Sequence, residues 1–148
     1  MQQCNEESIG RWISLLNRYS HVYMTEQLKQ YDIGAGQYQF LMVLFNNEGV
    51  SQDDLSCLLK MDKGTTARAI SKLEENGYIE RKTFSVNKRV KKIYLTEKAH
   101  AFEPKLREIT LSWSNILTKD LTCEQQKLAL KLLTKMAYNA ECYIEDNT

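Results

Sequence analysis

Two capped helices only two residues apart constrain this chain more tightly than any other feature of its sequence. Ser51 is followed by Gln52, Asp53 and Asp54, an N-cap with acids in the first turn, where unpaired backbone N–H groups and the helix dipole favour negative charge. Leu55, Leu58 and Leu59 carry that helix for two turns. Asp62 then caps another, and only Lys60 and Met61 lie between them. So short a link makes a helix-turn-helix.

The second of these helices runs from Lys63 to Asn76. At about 100° per residue, Thr66, Ala67, Ile70 and Leu73 fall together, with Thr65, Arg68, Ala69 and Lys72 on the opposite side. That opposite face joins two cations to two small side chains, so a ligand surface could come close to the helix backbone. Lys63, Gly64 and Thr65 leave the helix start open to a phosphate. In isolation such a face is more often simply solvated.

Gly77 suits the left-handed residue that ends a helix. Tyr78, Ile79 and Phe84 begin an extended segment, and Val90, Ile93, Tyr94 and Leu95 form its return across a polar, basic turn. A two-stranded ribbon with a cationic tip directly after a helix-turn-helix is a winged helix, whose helix enters the major groove of DNA while the tip reaches backbone or minor groove. The expected fold is mainly α with a small β-hairpin wing.

Charge supports this placement. The chain has a formal net charge of +1, yet Lys60 to Lys92 holds ten basic residues against four acidic ones, a net of +6, leaving −5 for the remainder. A basic block in an otherwise acidic chain is what a local polyanion site looks like.

The flanks are helical as well. Ile9, Trp12, Ile13, Leu16, Tyr19 and Tyr23 recur at spacings of three and four, and the pattern continues to about Leu28. YDIGAGQYQF breaks it, and Phe40, Leu41, Leu44 and Phe45 make a short apolar helix ending at Asn46, Asn47 and Gly49. Thr96 caps a helix through Ala99, Phe102, Leu106, Ile109, Trp113, Ile116 and Leu117, which Pro104 is expected to bend or locally unwind. Thr122 with Gln125 forms a capping box for a last helix, striped by Leu128, Leu132, Leu133, Met136, Ala140 and Tyr143.

Within one domain of 148 residues, the winged helix takes residues 37–95. Segments 8–30 and 96–144 then carry more apolar stripe than so small a core can cover. They are expected to form the dimerisation part of a symmetric homodimer, with Ile9, Trp12, Trp113, Leu117, Leu132, Met136 and Tyr143 at the interface.

Other chemistries find little support. Cys4, Cys57, Cys123 and Cys142 make no CxxC pair, and only His21 and His100 could join them, so neither a metal nor another cofactor is expected. Cys57, among leucines, reads as a small core residue. No stretch has the length and apolarity of a membrane span, and the polar start MQQCNEES lacks a signal-peptide core, pointing to a cytoplasmic protein. No Gly-rich phosphate loop, HExxH or nucleophile motif indicates an enzyme.

The run DKGTTARAISKLEENGYIERK and the wing NKRVKKIYLTEKA, set between these helices, resemble transcription regulators of the MarR family over essentially the whole chain. The resemblance implies a homodimer on a pseudopalindromic operator in double-stranded DNA. Lys63, Gly64, Thr65, Thr66, Arg68 and Lys72 would lie on base edges or phosphates, Lys88 and Arg89 in the wing, and Ser51 and Gln52 near phosphate. The family commonly places an aspartate two residues before the wing arginine; here that position is Asn87, so the wing could lose a stabilising ion pair.

The resemblance also implies a repressor released by a small aromatic or phenolic effector bound between the dimer helices and the DNA-binding part. Arg18, His21 and Tyr38 are the candidates near such a crevice. Some relatives sense oxidants through a cysteine inside the first helix, but Cys4 precedes that helix. The competing reading is an adaptor that uses the winged-helix scaffold on a protein or an RNA; absence of any sequence-specific DNA complex would favour it.

Overall fold

Helix α1 (Ile9–Leu28) starts where the Ser8 hydroxyl accepts the Arg11 backbone N–H at 3.2 Å. The computed structural model describes residues 8–83 and 90–147. After α1 come a 3-10 turn (Lys29–Tyr31), α2 (Tyr38–Leu44), β1 (Val50–Ser51), α3 (Gln52–Leu59) and α4 (Lys63–Glu75). Strands β2 (Ile79–Thr83) and β3 (Lys91–Leu95) follow, then α5 (Glu97–Leu117) and α6 (Cys123–Asp146). The chain divides into two compact units, Met1–Thr110 and Leu111–Thr148.

The core of the first unit is built where apolar faces of successive elements coincide. Phe40, Leu41 and Leu44 of α2, Leu55 of α3, Ile70 and Leu73 of α4 and Ile93 of β3 are all fully or almost fully buried. Helix α1 adds only Met24 and Leu28, from its last turns, and α5 adds Ala99, Phe102, Leu106 and Ile109. The Phe102 ring packs against Tyr31 and Tyr78, at centroid distances of 4.5 and 5.7 Å, and the Tyr78 hydroxyl donates to the Tyr31 carbonyl at 2.7 Å. Tyr78 thus buries its ring while its polar end is satisfied.

The sheet has one strand more than the hairpin read from the sequence. Its order is β1-β3-β2, antiparallel throughout, with Val50 opposite Ile93 and Arg81 opposite that same residue from the other side. A two-residue strand carries no readable period, so only its pairing reveals it. Of the two effects expected of Pro104, local unwinding does not occur, since α5 runs unbroken through it. Pro104 is exposed, and so is His100, whose carbonyl is the one that loses its helical donor, so water is at hand to replace it.

In the second unit, the Thr122 hydroxyl accepts the Gln125 N–H at 3.2 Å and the Gln125 side-chain oxygen accepts the Thr122 N–H at 2.8 Å, the capping box read from the sequence. The helix it starts, α6, buries no residue at all.

Two glycines adopt left-handed backbone that other residues resist. Gly77, at φ +76, ends α4, and an added Cβ there would meet only the Lys98 Cδ at 4.0 Å. Gly49, at φ +75, leads into β1, and a Cβ there would lie 3.0 Å from the Tyr94 hydroxyl oxygen. Backbone strain alone predicts a loss of about 1 kcal/mol for Gly77→Ala. Gly49→Ala adds a steric clash and should cost about 2 kcal/mol, so urea unfolding is expected to rank Gly49→Ala as the less stable.

Candidate nucleic-acid interface

Asp62 sets where α4 begins. Its carboxylate accepts the Thr65 N–H at 2.8 Å, and its carbonyl accepts both the Thr66 N–H and the Thr66 hydroxyl at 3.0 Å. The helix start read as open to a phosphate is therefore closed at Thr65 by a carboxylate. Lys60, at φ 52, makes the left-handed turn that brings α3 and α4 so close.

Thr66, a candidate DNA contact, is not one, since its relative exposure is 0 % and its hydroxyl is used within the helix. Ala69, placed outward in the sequence reading, is also buried. The inward face is thus Thr66, Ala69, Ile70 and Leu73, while Gly64, Arg68 and Lys72 form an exposed stripe spaced four residues apart. Along it the Arg68 guanidinium donates to the Thr65 hydroxyl at 3.1 Å and the Lys72 ammonium pairs with Glu75 at 3.0 Å. A Cβ on Gly64 would lie 3.2 Å from the Asp62 carboxylate and 3.5 Å from an Arg68 nitrogen, so glycine leaves room for both.

Helix α3 lies beside this stripe. The Ser51 hydroxyl accepts the Asp54 N–H at 3.1 Å and donates to the Asp54 carboxylate at 2.8 Å, and the Ser51 N–H donates to the same carboxylate at 2.9 Å. The Ser51 polar groups are thus engaged locally, and the backbone hydrogen bond from Ser51 does most to hold the Asp54 carboxyl below its ordinary value. Asp53 pairs with Lys63 across the turn at 3.2 Å, with both side chains exposed. Gln52 is half-buried.

In the sequence Arg81 is marked only as one of the ten basic residues between Lys60 and Lys92. On β2 it lies two residues from Ile79, on the same face of the strand, and pairs there with Glu74 at 3.0 Å. The same guanidinium donates to the Ser71 hydroxyl at 3.3 Å and to the Gln52 side-chain oxygen at 3.5 Å. Its two-residue step from a buried isoleucine was the available signal. Lys82, on the other face, donates to Glu80 at 2.6 Å and lies over the Tyr94 ring; that hydrogen bond is the main reason its ammonium is held above the usual lysine value. Lys91 and Lys92 are exposed, while Asn87, Lys88 and Arg89 lie outside the described residues.

His21 and Tyr38 do come together, lining with Asn17, Ser20, Met24, Ala35 and Gln39 a recess of about 60 Å³. Arg18 is exposed and takes no part in that lining. Pockets for aromatic ligands run to roughly 300 Å³ and more, so the recess in one chain is too small to hold one. Cys57 is exposed rather than in the core, because α3 turns Leu55 and Ser56 inward, while Cys4 lies outside the described residues. Among the described residues no three His, Cys, Asp or Glu side chains gather as a metal site, and no helix is long and apolar enough to cross a membrane.

The sequence profile of the MarR family matches residues 33–91. The chain is 32% identical to the HTH-type transcriptional regulator YybA of Bacillus subtilis, over 90% of this chain and 89% of that protein. A MarR transcriptional regulator from Methanosarcina mazei superposes with a TM-score of 0.84 at 38% identity, covering 91% and 97% of the two chains. A putative MarR family regulator from Listeria monocytogenes, solved in complex with a 26mer DNA, gives a TM-score of 0.83 at 28% identity over 90% and 89%.

The cap at Asp62 carries a pH signature. Its hydrogen bonds from Thr65, first the side chain's and then the backbone's, hold the carboxyl below its ordinary value in the folded chain. The unfolded chain therefore binds the proton more readily, and the stabilisation is complete above the unfolded carboxylate value, about pH 4, and lost as pH falls through the lower folded value. Asp62→Asn should unfold at lower urea than wild type at pH 7, with the gap closing below about pH 4. A gap that stays constant with pH would show that the charge plays no part.

Proposed function

Because this chain belongs to the MarR family of helix-turn-helix, DNA-binding transcription regulators, we propose that it is a homodimeric repressor of a pseudopalindromic operator, released by a small aromatic or phenolic effector. The observation that carries the DNA-reading role is the exposed stripe Gly64, Arg68 and Lys72 on a helix whose other face is wholly buried. Such a helix can offer side chains to base edges without giving up its packing. Lys63 and Lys72 pair with exposed carboxylates, a kind of pair worth little, so phosphate can replace those partners. Lys88 and Arg89 complete the proposal as wing contacts.

Dimerisation is supported by apolar surface that each unit leaves in solvent. In the first unit Ile9, Trp12, Ile13, Leu16 and Tyr19 are exposed, Trp12 by 45%. In the second, Leu117, Leu132 and Tyr143 are exposed, Tyr143 by 71%. Single exposed apolar residues are ordinary, but helical stripes of them mark interaction surfaces. A second copy satisfies both at once and presents two α4 helices to half-sites about 34 Å apart. An effector acts if it binds one spacing of those helices better than the other. The His21 and Tyr38 recess supports such a site only as part of a larger one completed by dimer formation.

A duplex selected from a random pool by the protein itself provides the test. Arg68→Ala should weaken binding by about 1–3 kcal/mol and relax preference at one base position. Replacing Lys88 and Arg89 together by Ala should lower the slope of log affinity against log salt by up to about 2. Unchanged affinity in both variants would reject the reading. In sedimentation, wild type should run as a dimer, and Trp12→Glu with Leu132→Glu as a folded monomer.

A further inference from the structure

We propose that Arg81 is a positioning residue for DNA reading: it sets the rotation of α4 against α3 and the base of the wing, and does not itself touch DNA. The inference rests on the reading that α4 enters the groove. Its basis is one guanidinium, only 24% exposed, that joins three elements. From β2 it reaches Glu74 at 3.0 Å and Ser71 at 3.3 Å, both on α4, and Gln52 at 3.5 Å, the first residue of α3.

Apolar burial holds α4 down but is non-directional, so Ile70 and Leu73 fix the depth of the helix better than its roll. A guanidinium fork is planar with donors in fixed directions. Ser71 and Glu74 each follow a buried residue, Ile70 and Leu73, and lie about 60° apart on the flank of the helix between its buried face and the exposed stripe. Gripping α4 at its flank fixes how far Arg68 and Lys72 turn toward a groove. The charge of Arg81 is meanwhile matched by Glu74, so it has little to offer a phosphate. Its backbone is paired across the sheet with Ile93, which is almost fully buried.

The experiment compares full-length wild type, Arg81→Met, Arg81→Lys, Glu74→Gln and the double variant Arg81→Met with Glu74→Gln, on the selected duplex and on an unrelated duplex, across a salt series. The expected result is a loss of about tenfold on the selected duplex for each single variant, with the double variant no weaker than either. Affinity for the unrelated duplex and the salt slope should stay at wild-type values, because non-specific binding depends on charge near phosphate and not on helix rotation. Arg81→Lys, which keeps the charge but not the fork, should be as weak as Arg81→Met.

Three results would overturn the proposal. A slope reduced by about 0.9 in Arg81→Met, together with weaker binding to the unrelated duplex, would make Arg81 a phosphate contact. Full affinity in Arg81→Lys would mean that charge alone matters. Wild-type affinity in Glu74→Gln would mean the fork is not what sets the helix, and because Glu74 is partly exposed this variant decides the question even if Arg81→Met fails to fold. Arg68→Ala in the same assay separates the premise: if it binds like wild type, the groove reading itself fails, whereas a weakened Arg68→Ala beside normal Arg81 variants rejects only the positioning role.

Discussion

Burial of one face of α4 is the constraint on which the rest of the DNA-reading unit depends. Thr66, Ala69, Ile70 and Leu73 are at most 7% exposed. Ile70 and Leu73 alone are worth on the order of 3–6 kcal/mol in apolar burial. Once that face is down, Gly64, Arg68 and Lys72 fall on the opposite, exposed side, and directional contacts such as that of Arg81 are left to fix how far that side turns. The Asp62 cap and the left-handed Gly77 then limit the helix to the stretch over which this division holds.

Charge along the chain and charge on the surface differ for a physical reason. The net +6 of residues 60–92 omits Asp53 and Asp54, which precede that stretch in sequence but lie near its cations Lys63 and Lys92 in space. In space Asp53 faces Lys63, while Glu74, Glu75 and Glu80 each face a cation of the block. These pairs are not equivalent. Those of Lys63 and Lys72 are exposed and weak, open to exchange for a phosphate, whereas that of Arg81 is sheltered and supported by two further hydrogen bonds. A cation count therefore overstates the field available to DNA and conceals which cation serves the fold.

Much of the architecture could be read beforehand. The starts of α3, α4 and α6 at Ser51, Asp62 and Thr122 were legible because capping involves only a residue and its neighbours three positions on. Ala69 was misplaced although the wheel held the answer: it lies about 60° from Thr66, closer than Ala67 at about 100°. Thr66 was harder, since a hydroxyl suggests exposure until its bond to the Asp62 carbonyl is known. The outward turn of Cys57 was legible too, since it lies about 200° from Leu55 on α3; strand β1 depends on a partner far along the chain and leaves no periodic trace.

What the sequence determined by itself is where helices start and stop and which of them carry apolar stripes, because caps, left-handed glycines and the 3.6-residue period act within a few residues. It also located the helix-turn-helix, through the two-residue link at Lys60 and Met61. Only the tertiary structure decided which side chains of that unit are spent and which are free. Arg81 meets Gln52 from 29 positions away and Ser71 from 10. Such encounters are settled by which surfaces pack together, and the spacing of residues along the chain carries no record of them.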